Sequence, residues 1–330
     1  MIGGLYTAIE HDTLRWTYWM IAIANTLIPA AVCGVDVSPN NLRVEMQKDL
    51  DIDDGQRINL MSISTAGMCI GVVLCAALND ALGRRTIVLW GLIPGCALTA
   101  MQAFAQTYTQ MSILRAGAGM FIGFAATVHG VYLAECIPIA FRGRIMLGSH
   151  IGYAIFAALL SFIKPHIGKV VFLQLTALPA ALSAFFFLWF PESPRYLLLK
   201  GRNDEAVAAI KWLSCGSIVG DDLLPLNETS TQQEGAQTNT DIIDEYRHHL
   251  KKEDKVRFWQ DFFNIGTPWM FLAIATAGCD TLFPAFIVPR EQDPSNFLLA
   301  CRGAEIVGDL IAIVFADLAD RRVVFTGACI

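Results

Sequence analysis

The chain has 330 residues, of which 54% are hydrophobic and only 16% are charged. About a quarter of the residues of a soluble domain carry a charge, so this composition excludes an ordinary water-soluble protein and predicts a lipid bilayer as partner. The net charge of −6 comes from 30 acidic and 24 basic residues. Such an acidic balance excludes the basic surface of a nucleic-acid-binding protein, and we expect no nucleic-acid partner.

The nine cysteines lie mostly inside apolar runs and form no C-x-x-C pair. This placement is typical of small buried hydrophobic residues and not of a disulfide framework or a zinc site. The sequence also contains no glycine-rich phosphate loop, no zinc-ligand spacing and no nucleophile elbow. We therefore expect no cofactor and no metal, and the sequence gives no support for an enzyme.

Eight apolar stretches are long enough to cross a bilayer, which takes about 20 helical residues. They cover residues 16–37, 58–80, 86–107, 109–134, 145–163, 170–190, 267–289 and 296–318, and a ninth begins near residue 323. The predicted fold class is therefore all-α, a polytopic membrane protein. Small residues recur at four-residue spacing in two spans, as at Gly67 and Gly71 or Gly119 and Gly123, which predicts close contact between helix backbones.

A polar segment over residues 191–265 divides six of the spans from the rest. It starts with a predicted short helix at Asn203–Leu213, for which Asn203 or Asp204 is the expected N-cap and Val207, Ile210 and Leu213 form one apolar face. Lysines and arginines concentrate near span ends on the side that holds this loop and the N-terminus. The positive-inside rule puts that side in the cytoplasm.

Five short motifs at the ends of spans identify a family. They are D-A-L-G-R-R at 80–85, Y-L-A-E at 132–135, R-G-R at 142–144, P-E-S-P-R at 191–195 and a degraded second copy of the first motif, D-L-A-D-R-R, at 317–322. Together they resemble the major facilitator superfamily and, within it, the sugar porter family. The P-E-S-P-R match is the most specific of the five. The resemblance is strong over residues 30–213 and weaker beyond.

The resemblance implies a fold of twelve helices in two pseudo-symmetric halves, with the solute bound between them and alternating access. The predicted domains are a complete N-terminal six-helix bundle at 1–190, a cytoplasmic loop with short helices at 191–265 and an incomplete C-terminal bundle at 266–330. The last holds two spans and the start of a third. We expect a fragment of a longer protein rather than a naturally shortened one.

The resemblance also implies a cytoplasmic gating motif, in which opposite charges at the inner helix ends hold the bundle closed and separate when it opens. Its members in this sequence are Asp80, Gly83, Arg84, Arg85, Glu135, Arg142, Glu192, Arg195, Asp320 and Arg321. We expect those of the first half to converge at the inner ends of the helices. Arg84 and Arg195 should then lie on the same face of the membrane.

Two ionisable residues in apolar spans are candidates for proton coupling. Sugar porters that move protons carry an aspartate in the first span that pairs with an arginine of the fourth, and the matching positions here are Asp36 and Arg115. Protonation of Asp36 would release Arg115. A charge inside a span is costly without a partner, which favours a functional interpretation. The alternative is an interfacial Asp36 that faces water.

Two further residues are candidates for substrate binding. His150 occupies the place at which sugar porters carry a sugar-binding glutamine. Asp280 falls near the position at which hexose transporters carry an asparagine. The glutamine pair of the seventh span is absent from A-T-A-G-C-D at 275–280, which weakens the case for a hexose. The alternative for both residues is a structural hydrogen bond within the bundle.

The expected function is secondary active transport of a small polar solute, which could be a sugar, a polyol or an organic acid. Proton coupling is expected, so the partners are the solute, the proton and the bilayer. The expected location is multi-pass in the plasma membrane. Two alternatives stay open: a transporter-like solute sensor or receptor, and a non-functional fragment of a transporter.

Overall fold

The structure is a computed structural model of the chain, and it describes residues 15–215 together with Gly303, Ile306 and Val307, which are helical. The seventh predicted span and nearly all of the eighth lie outside the described residues. The same holds for three predicted site residues, Asp280, Asp320 and Arg321.

Six long helices dominate the described part of the chain, and each is long and apolar enough to cross a membrane. They are α1 (Trp16–Asn41), α3 (Asp54–Leu82), α4 (Arg84–Met101), α5 (Tyr108–Cys136), α6 (Ile139–Ile163) and α7 (Lys169–Trp189). Three short helices accompany them: α2 (Arg43–Leu50), α8 (Pro194–Leu199) and α9 (Asn203–Leu213). Residues 15–215 contain no strand. The predicted all-α fold with six spans in its first half is confirmed.

The fifth span begins earlier than the sequence predicted. Helix α6 starts at Ile139 rather than at residue 145, directly after Pro138. Arg142 and Arg144 remove the apolar signal from this first turn and a half of helix. They do not oppose helix formation, because a helix that leaves the bilayer tolerates charged side chains and Pro is favoured at a helix start.

The expected cap of the short helix α9 is wrong. Arg202 occupies the N-cap position without a side-chain cap, and its guanidinium instead binds Glu205 in the first turn, with Nε 2.7 Å from Oε1. The helix buries Ala206, Ala209, Ile210 and Leu213, so its apolar face is set by small residues as well as large ones. Thr17 of α1 donates to the carbonyl oxygen of Leu213 at 2.6 Å and ties α9 to the bundle.

Helix α5 has the central position in the bundle, where it contacts α1, α3 and α4. Helix α1 also packs on α6 and α7, and α4 packs on α7. The contact between α3 and α5 is made by backbone: a Cβ added at Gly123 would lie 2.8 Å from the carbonyl oxygen of Met68. Only glycine fits at such a distance, which confirms the close helix contact predicted from the four-residue spacing.

The end of the bundle that is predicted to face outward, called the outer end below, carries α2, a helix that the sequence analysis did not predict. Its polar sequence lacks an apolar run, yet Met46 and Leu50 are buried against the ends of the long helices. Two ion pairs fasten it: Lys164 Nζ lies 2.8 Å from Glu45 Oε1, and Lys169 Nζ lies 2.9 Å from Asp49 Oδ2. Helix α2 therefore links the α1–α3 connection to the outer ends of α6 and α7.

Candidate functional site

Arg115 lies in the outer half of α5 and is only 1% exposed. Its guanidinium donates five hydrogen bonds. The acceptors are the carbonyl oxygens of Leu60 (2.9 Å) and Val35 (2.7 Å), the hydroxyls of Ser64 (3.0 Å) and Ser38 (3.3 Å) and the side-chain oxygen of Gln102 (3.3 Å). A guanidinium has five N–H donors and stays charged in proteins. The surrounding helices therefore supply a hydrogen-bond acceptor for each donor of a buried, permanently charged group.

The five acceptors of Arg115 come from three separate segments, namely α1, α3 and the 3₁₀ turn Gln102–Phe104 that follows α4. All five are uncharged. Sequence reasoning missed them because carbonyl oxygens carry no sequence signal and isolated Ser and Gln residues in spans are common. The only available signal was the rule that a buried guanidinium needs several acceptors at its depth.

Asp36 is half-buried at the outer end of α1, directly after Val35, whose carbonyl oxygen accepts from Arg115. Its carboxylate is close enough to stabilise the charge of Arg115 electrostatically. The structure therefore brings the two predicted proton-coupling residues into one neighbourhood. The described hydrogen bonds of Arg115 go to neutral atoms, and Asp36 acts on it through its charge. Its role in proton coupling stays a prediction.

The opposite end of the bundle, which is predicted to face the cytoplasm and is called the inner end below, is built around the turn between α3 and α4. Gly83 has a φ of 93°, a conformation that favours glycine, and it directs Arg84 inward. Arg84 Nε lies 3.3 Å from Glu135 Oε2, and both side chains are less than a tenth exposed. The guanidinium carbon of Arg84 also lies 5.1 Å from the ring centre of Tyr196, within cation–π range.

The segment that holds the P-E-S-P-R motif is bound to this turn through its carboxylate and hydroxyl groups. Glu192 Oε1 accepts from the backbone N–H of Arg85 and of Ser193, each at 2.9 Å. Ser193 donates to Glu135 Oε2 at 2.5 Å and caps α8 by accepting from the N–H of Tyr196. Glu135 Oε2 thus pairs with Arg84 and accepts a hydrogen bond from Ser193. This one oxygen atom joins α5, the α3–α4 turn and the segment before α8.

Arg85 and two tyrosines close the same junction by binding backbone carbonyls. The guanidinium of Arg85 donates to Phe187 (3.0 Å) and Leu188 (2.8 Å) at the inner end of α7. Tyr132 donates to the carbonyl oxygen of Pro191 at 2.9 Å, and Tyr196 donates to that of Ala81 at 3.0 Å. The sequence analysis missed both tyrosines and Ser193, although Tyr132 and Ser193 lie inside the motifs that it identified and Tyr196 directly follows one.

Arg142 and Arg195 lie at the same inner end, where they line a cavity of about 270 Å³ together with Glu135. Arg142 also donates to the carbonyl oxygen of Ile137 at 3.3 Å. The structure therefore places Arg84 and Arg195 at one end of the bundle; that this end faces the cytoplasm stays a prediction. The side chain of Asp80 lies outside the described residues.

His150 is exposed on α6, and its ring centre lies 6.4 Å from that of His129 on α5. His129 is a residue that the sequence analysis missed, although an ionisable side chain in an apolar span is itself a signal. Its ring is 9% exposed, and Nδ1 lies 2.8 Å from the carbonyl oxygen of Ala126. The bundle thus brings the imidazole rings of two spans close together.

Comparison with known proteins identifies relatives among transporters. The profile of a family described as "Sugar (and other) transporter" matches residues 6–283. The niacin transporter NiaP of Acinetobacter baylyi is 30% identical over 203 residues, which are 59% of this chain and 44% of the relative. The putative polyol transporter 1 of Arabidopsis thaliana is 32% identical over 185 residues, which are 53% and 36%. The chain spans less than half the length of these curated relatives.

Solved structures show the same fold. A structure of the proton:xylose symporter XylE bound to 6-bromo-6-deoxy-D-glucose has a TM-score of 0.63 at 16% identity, covering 91% of this chain and 68% of that one. A partially occluded inward-open structure of XylE from E. coli has a TM-score of 0.57 at 14% identity, covering 91% and 70%. With six membrane-spanning helices and a profile match over most of its length, the chain belongs to the sugar (and other) transporter family and is a multi-pass membrane protein of the major facilitator fold.

Proposed function

We propose that the chain is the transport unit, or part of it, of a secondary transporter that carries a small polyol or sugar by alternating access, in symport with protons. The observation that carries this proposal is Arg115, a guanidinium buried in the bundle and held by five hydrogen bonds. A charge inside a membrane bundle is costly, and one that is fixed so fully is typical of ion or substrate pathways.

The proton step assigns different roles to the two charged residues. Arg115 keeps its charge because a guanidinium is not deprotonated in proteins. Asp36 is half-buried, and its carboxylate is the group near Arg115 that can change charge. Protonation of Asp36 from the outer side removes its attraction for Arg115 and lets α1 move relative to α5. Release of the proton on the inner side restores the pair.

The inner gate consists of the cytoplasmic gating motif. The pair of Arg84 with Glu135 and the contacts of Glu192 support this role because they join the α3–α4 turn to α5 and to the chain after α7. Asp80, Asp320 and Arg321 are proposed to complete the motif. When the inner end opens, these opposite charges separate.

The proposed solute class comes from the relatives and from the polar groups of the bundle. A polyol transporter is among the relatives, and the matched family is named for sugars and other solutes. His150 and Asp280 are the proposed substrate-binding residues, and the loop over residues 191–265 is proposed to be cytoplasmic. The plasma membrane is the proposed location.

The test is uptake by the purified full chain in proteoliposomes with an imposed pH gradient, acidic outside. We expect accumulation of at least one tritiated polyol or pentose above its external concentration, and its loss when a protonophore collapses the gradient. Polyol binding without uptake would contradict transport and favour a sensor.

The proton role is tested separately with Asp36→Asn. We expect this variant to lose accumulation against a gradient and to retain exchange of labelled for unlabelled solute, because the charge change is removed but the path remains. Asp51→Asn is the matched control: Asp51 is exposed with a φ of 48°, which asparagine tolerates. Uphill accumulation that survives in Asp36→Asn would eliminate the proposed proton role.

A further inference from the structure

The cavity of about 270 Å³ at the inner end lies between α5, α6 and α8. Three charged side chains line it, those of Glu135, Arg142 and Arg195, and small or apolar residues of α5 and α6 form the rest of its wall. Pockets for drug-sized ligands measure about 300–1,000 Å³, so this cavity suits a smaller ligand or one end of a larger one. The charges on its wall decide which chemical group it can hold.

The carboxylate in the wall of this cavity is already bound by other groups. Glu135 Oε2 lies 3.3 Å from Arg84 Nε and accepts a hydrogen bond from Ser193 at 2.5 Å. Arg84 therefore balances the charge of Glu135. Among the residues that line the cavity, the two remaining charges are those of Arg142 and Arg195, and both are positive. A ligand that enters the cavity thus meets an excess of positive charge.

Arg142 has hydrogen-bonding capacity that the described part of the chain does not use. Its Nη2 donates to the carbonyl oxygen of Ile137 at 3.3 Å. Its Nε is buried and has no acceptor among the described residues. A buried donor that lacks an acceptor is costly, and the cost is larger for a charged group. An anionic acceptor in the cavity would remove this cost.

We propose that the cavity binds a phosphate group, either of free inorganic phosphate or of a lipid headgroup, and that the bound group holds the inner end closed. Guanidinium groups bind phosphate through two parallel N–H···O bonds. Arg142 lies in the first turn of α6 and Arg195 in the first turn of α8, so the two guanidinium groups come from separate segments. A phosphate group has enough acceptor oxygens for both of them, whereas the two oxygens of a carboxylate suit one.

The bound phosphate then acts as a bridge between α6 and α8. This bridge adds to the contacts that Glu135 makes at the same end, and it must break before the inner end opens. Phosphate on the cytoplasmic side is therefore expected to slow transport. Binding itself is independent of the proposed function, and the effect on uptake rests on it.

The first experiment measures binding of radiolabelled inorganic phosphate to the purified full chain in a neutral detergent, at constant ionic strength. We expect saturable binding and a Kd about tenfold higher for Arg142→Gln, because one charge-assisted contact is lost. Arg142→Lys keeps the charge but not the paired donors and should raise the Kd by about threefold. Lys211→Gln removes one positive charge from the exposed side of α9 and is the matched control, with an unchanged Kd.

The second experiment distinguishes the two sources of phosphate. Thermal unfolding of the reconstituted chain is compared in vesicles of phosphatidylcholine and in the same vesicles with added phosphatidic acid. If a lipid headgroup is the ligand, phosphatidic acid should raise the unfolding temperature of the unsubstituted chain but not that of Arg142→Gln. Inorganic phosphate inside phosphatidylcholine vesicles should do the same if the free anion is the ligand, and it should then slow myo-inositol uptake.

The possible outcomes separate this proposal from the proposed function. No effect of phosphate from either source overturns the proposal, and so does equal affinity in Arg142→Gln and Lys211→Gln. If Arg142→Gln does not fold, Arg195→Gln replaces it, since Arg195 is exposed. Phosphate that binds without slowing uptake overturns its effect on the inner end. If phosphate binds but no solute is taken up, the proposed function fails and the phosphate site stands.

Discussion

The two ends of α5 neutralise an arginine in different ways. At the outer end, Arg115 donates to five uncharged acceptors from α1, α3 and the turn after α4, and Asp36 acts on it through its charge. At the inner end, Arg84 binds the carboxylate of Glu135 directly, and the same carboxylate holds Ser193. Arg115 is held by hydrogen bonds to uncharged acceptors. Arg84 is held by an ion pair with Glu135, whose carboxylate also binds Ser193.

The difference suggests what each end is built to do. Five hydrogen bonds to uncharged acceptors hold Arg115. In the proposed proton step, protonation of Asp36 weakens the contact between α1 and α5, while the acceptors of α3 and Gln102 continue to hold the guanidinium. At the inner end the carboxylate of Glu135 joins three segments, so the loss of its charge weakens several contacts at once. We therefore expect the outer cluster to be the more costly to remove and the inner cluster to be the easier to open.

Removal of the outer guanidinium should have the largest effect. Arg115→Leu leaves five buried acceptors without a donor, and we expect a loss of about 3 kcal/mol in unfolding free energy together with the loss of transport. Arg115→Lys should be intermediate, because an ammonium group reaches fewer of the acceptors. Denaturant unfolding of the full chain in detergent measures both. The control is Arg202→Leu, at an exposed position. If Arg115→Leu were as stable as this control, the five hydrogen bonds of Arg115 would not stabilise the outer end.

Loss of the inner carboxylate charge should cost less but open the bundle. Glu135→Gln keeps the acceptor for Ser193 and removes the ion pair with Arg84, for which we expect a loss of about 2 kcal/mol. Cys136 is buried next to Glu135, so its labelling by a small maleimide, followed by peptide mass spectrometry, should become faster. Glu205→Gln, on the exposed side of α9, is the control. Equal labelling rates in the two variants would show that the ion pair does not hold the inner end closed.

The turn that places Arg84 gives the sharpest test. Gly83 and Gly201 both have positive φ, 93° and 74°, but a Cβ at Gly83 would lie 2.6 Å from Glu192 Oε2 whereas one at Gly201 meets nothing within 4 Å. Gly201→Ala should cost about 1 kcal/mol for its positive φ. Gly83→Ala should cost about 2 kcal/mol for the backbone, because a φ of 93° with a ψ of 160° is essentially restricted to glycine. Gly83→Ala should lose about 1 kcal/mol more, from the displaced carboxylate. If Gly83→Ala lost only about 1 kcal/mol more than Gly201→Ala, Glu192 would move aside without cost.

Much of the fold could be predicted from the sequence because long apolar runs determine it directly. The six spans of the first half were predicted within a few residues, except where Arg142 and Arg144 hid the start of α6. Helix α2 was not predictable from hydropathy, because its stability comes from Met46 and Leu50 packing on other helices and from two ion pairs. Such contacts exist only once the chain is folded.

The charged residues of the site could be predicted from the sequence, but the groups that bind them could not. Family motifs indicated Arg84, Glu135 and Glu192, and the structure brings these residues to one end. The acceptors of Arg115 were missed because two of them are backbone carbonyls, and no residue type encodes a carbonyl. Ser193 and His129 were missed for another reason: each was visible in the sequence, but a family pattern drew attention to its neighbours.

Helix α5 also connects the two arginine clusters as one uninterrupted helix. It carries Arg115 near one end and Glu135 near the other, about 30 Å apart along its axis, and its backbone contacts that of α3 at Gly123. A helix shift of about 1–2 Å is a common switching step. A shift of that size between α5 and the α3–α4 turn would lengthen the 3.3 Å pair of Arg84 and Glu135 beyond ion-pair distance. In the proposed transport cycle, a displacement of α5 that begins at Asp36 would therefore reach the inner end through the helix itself.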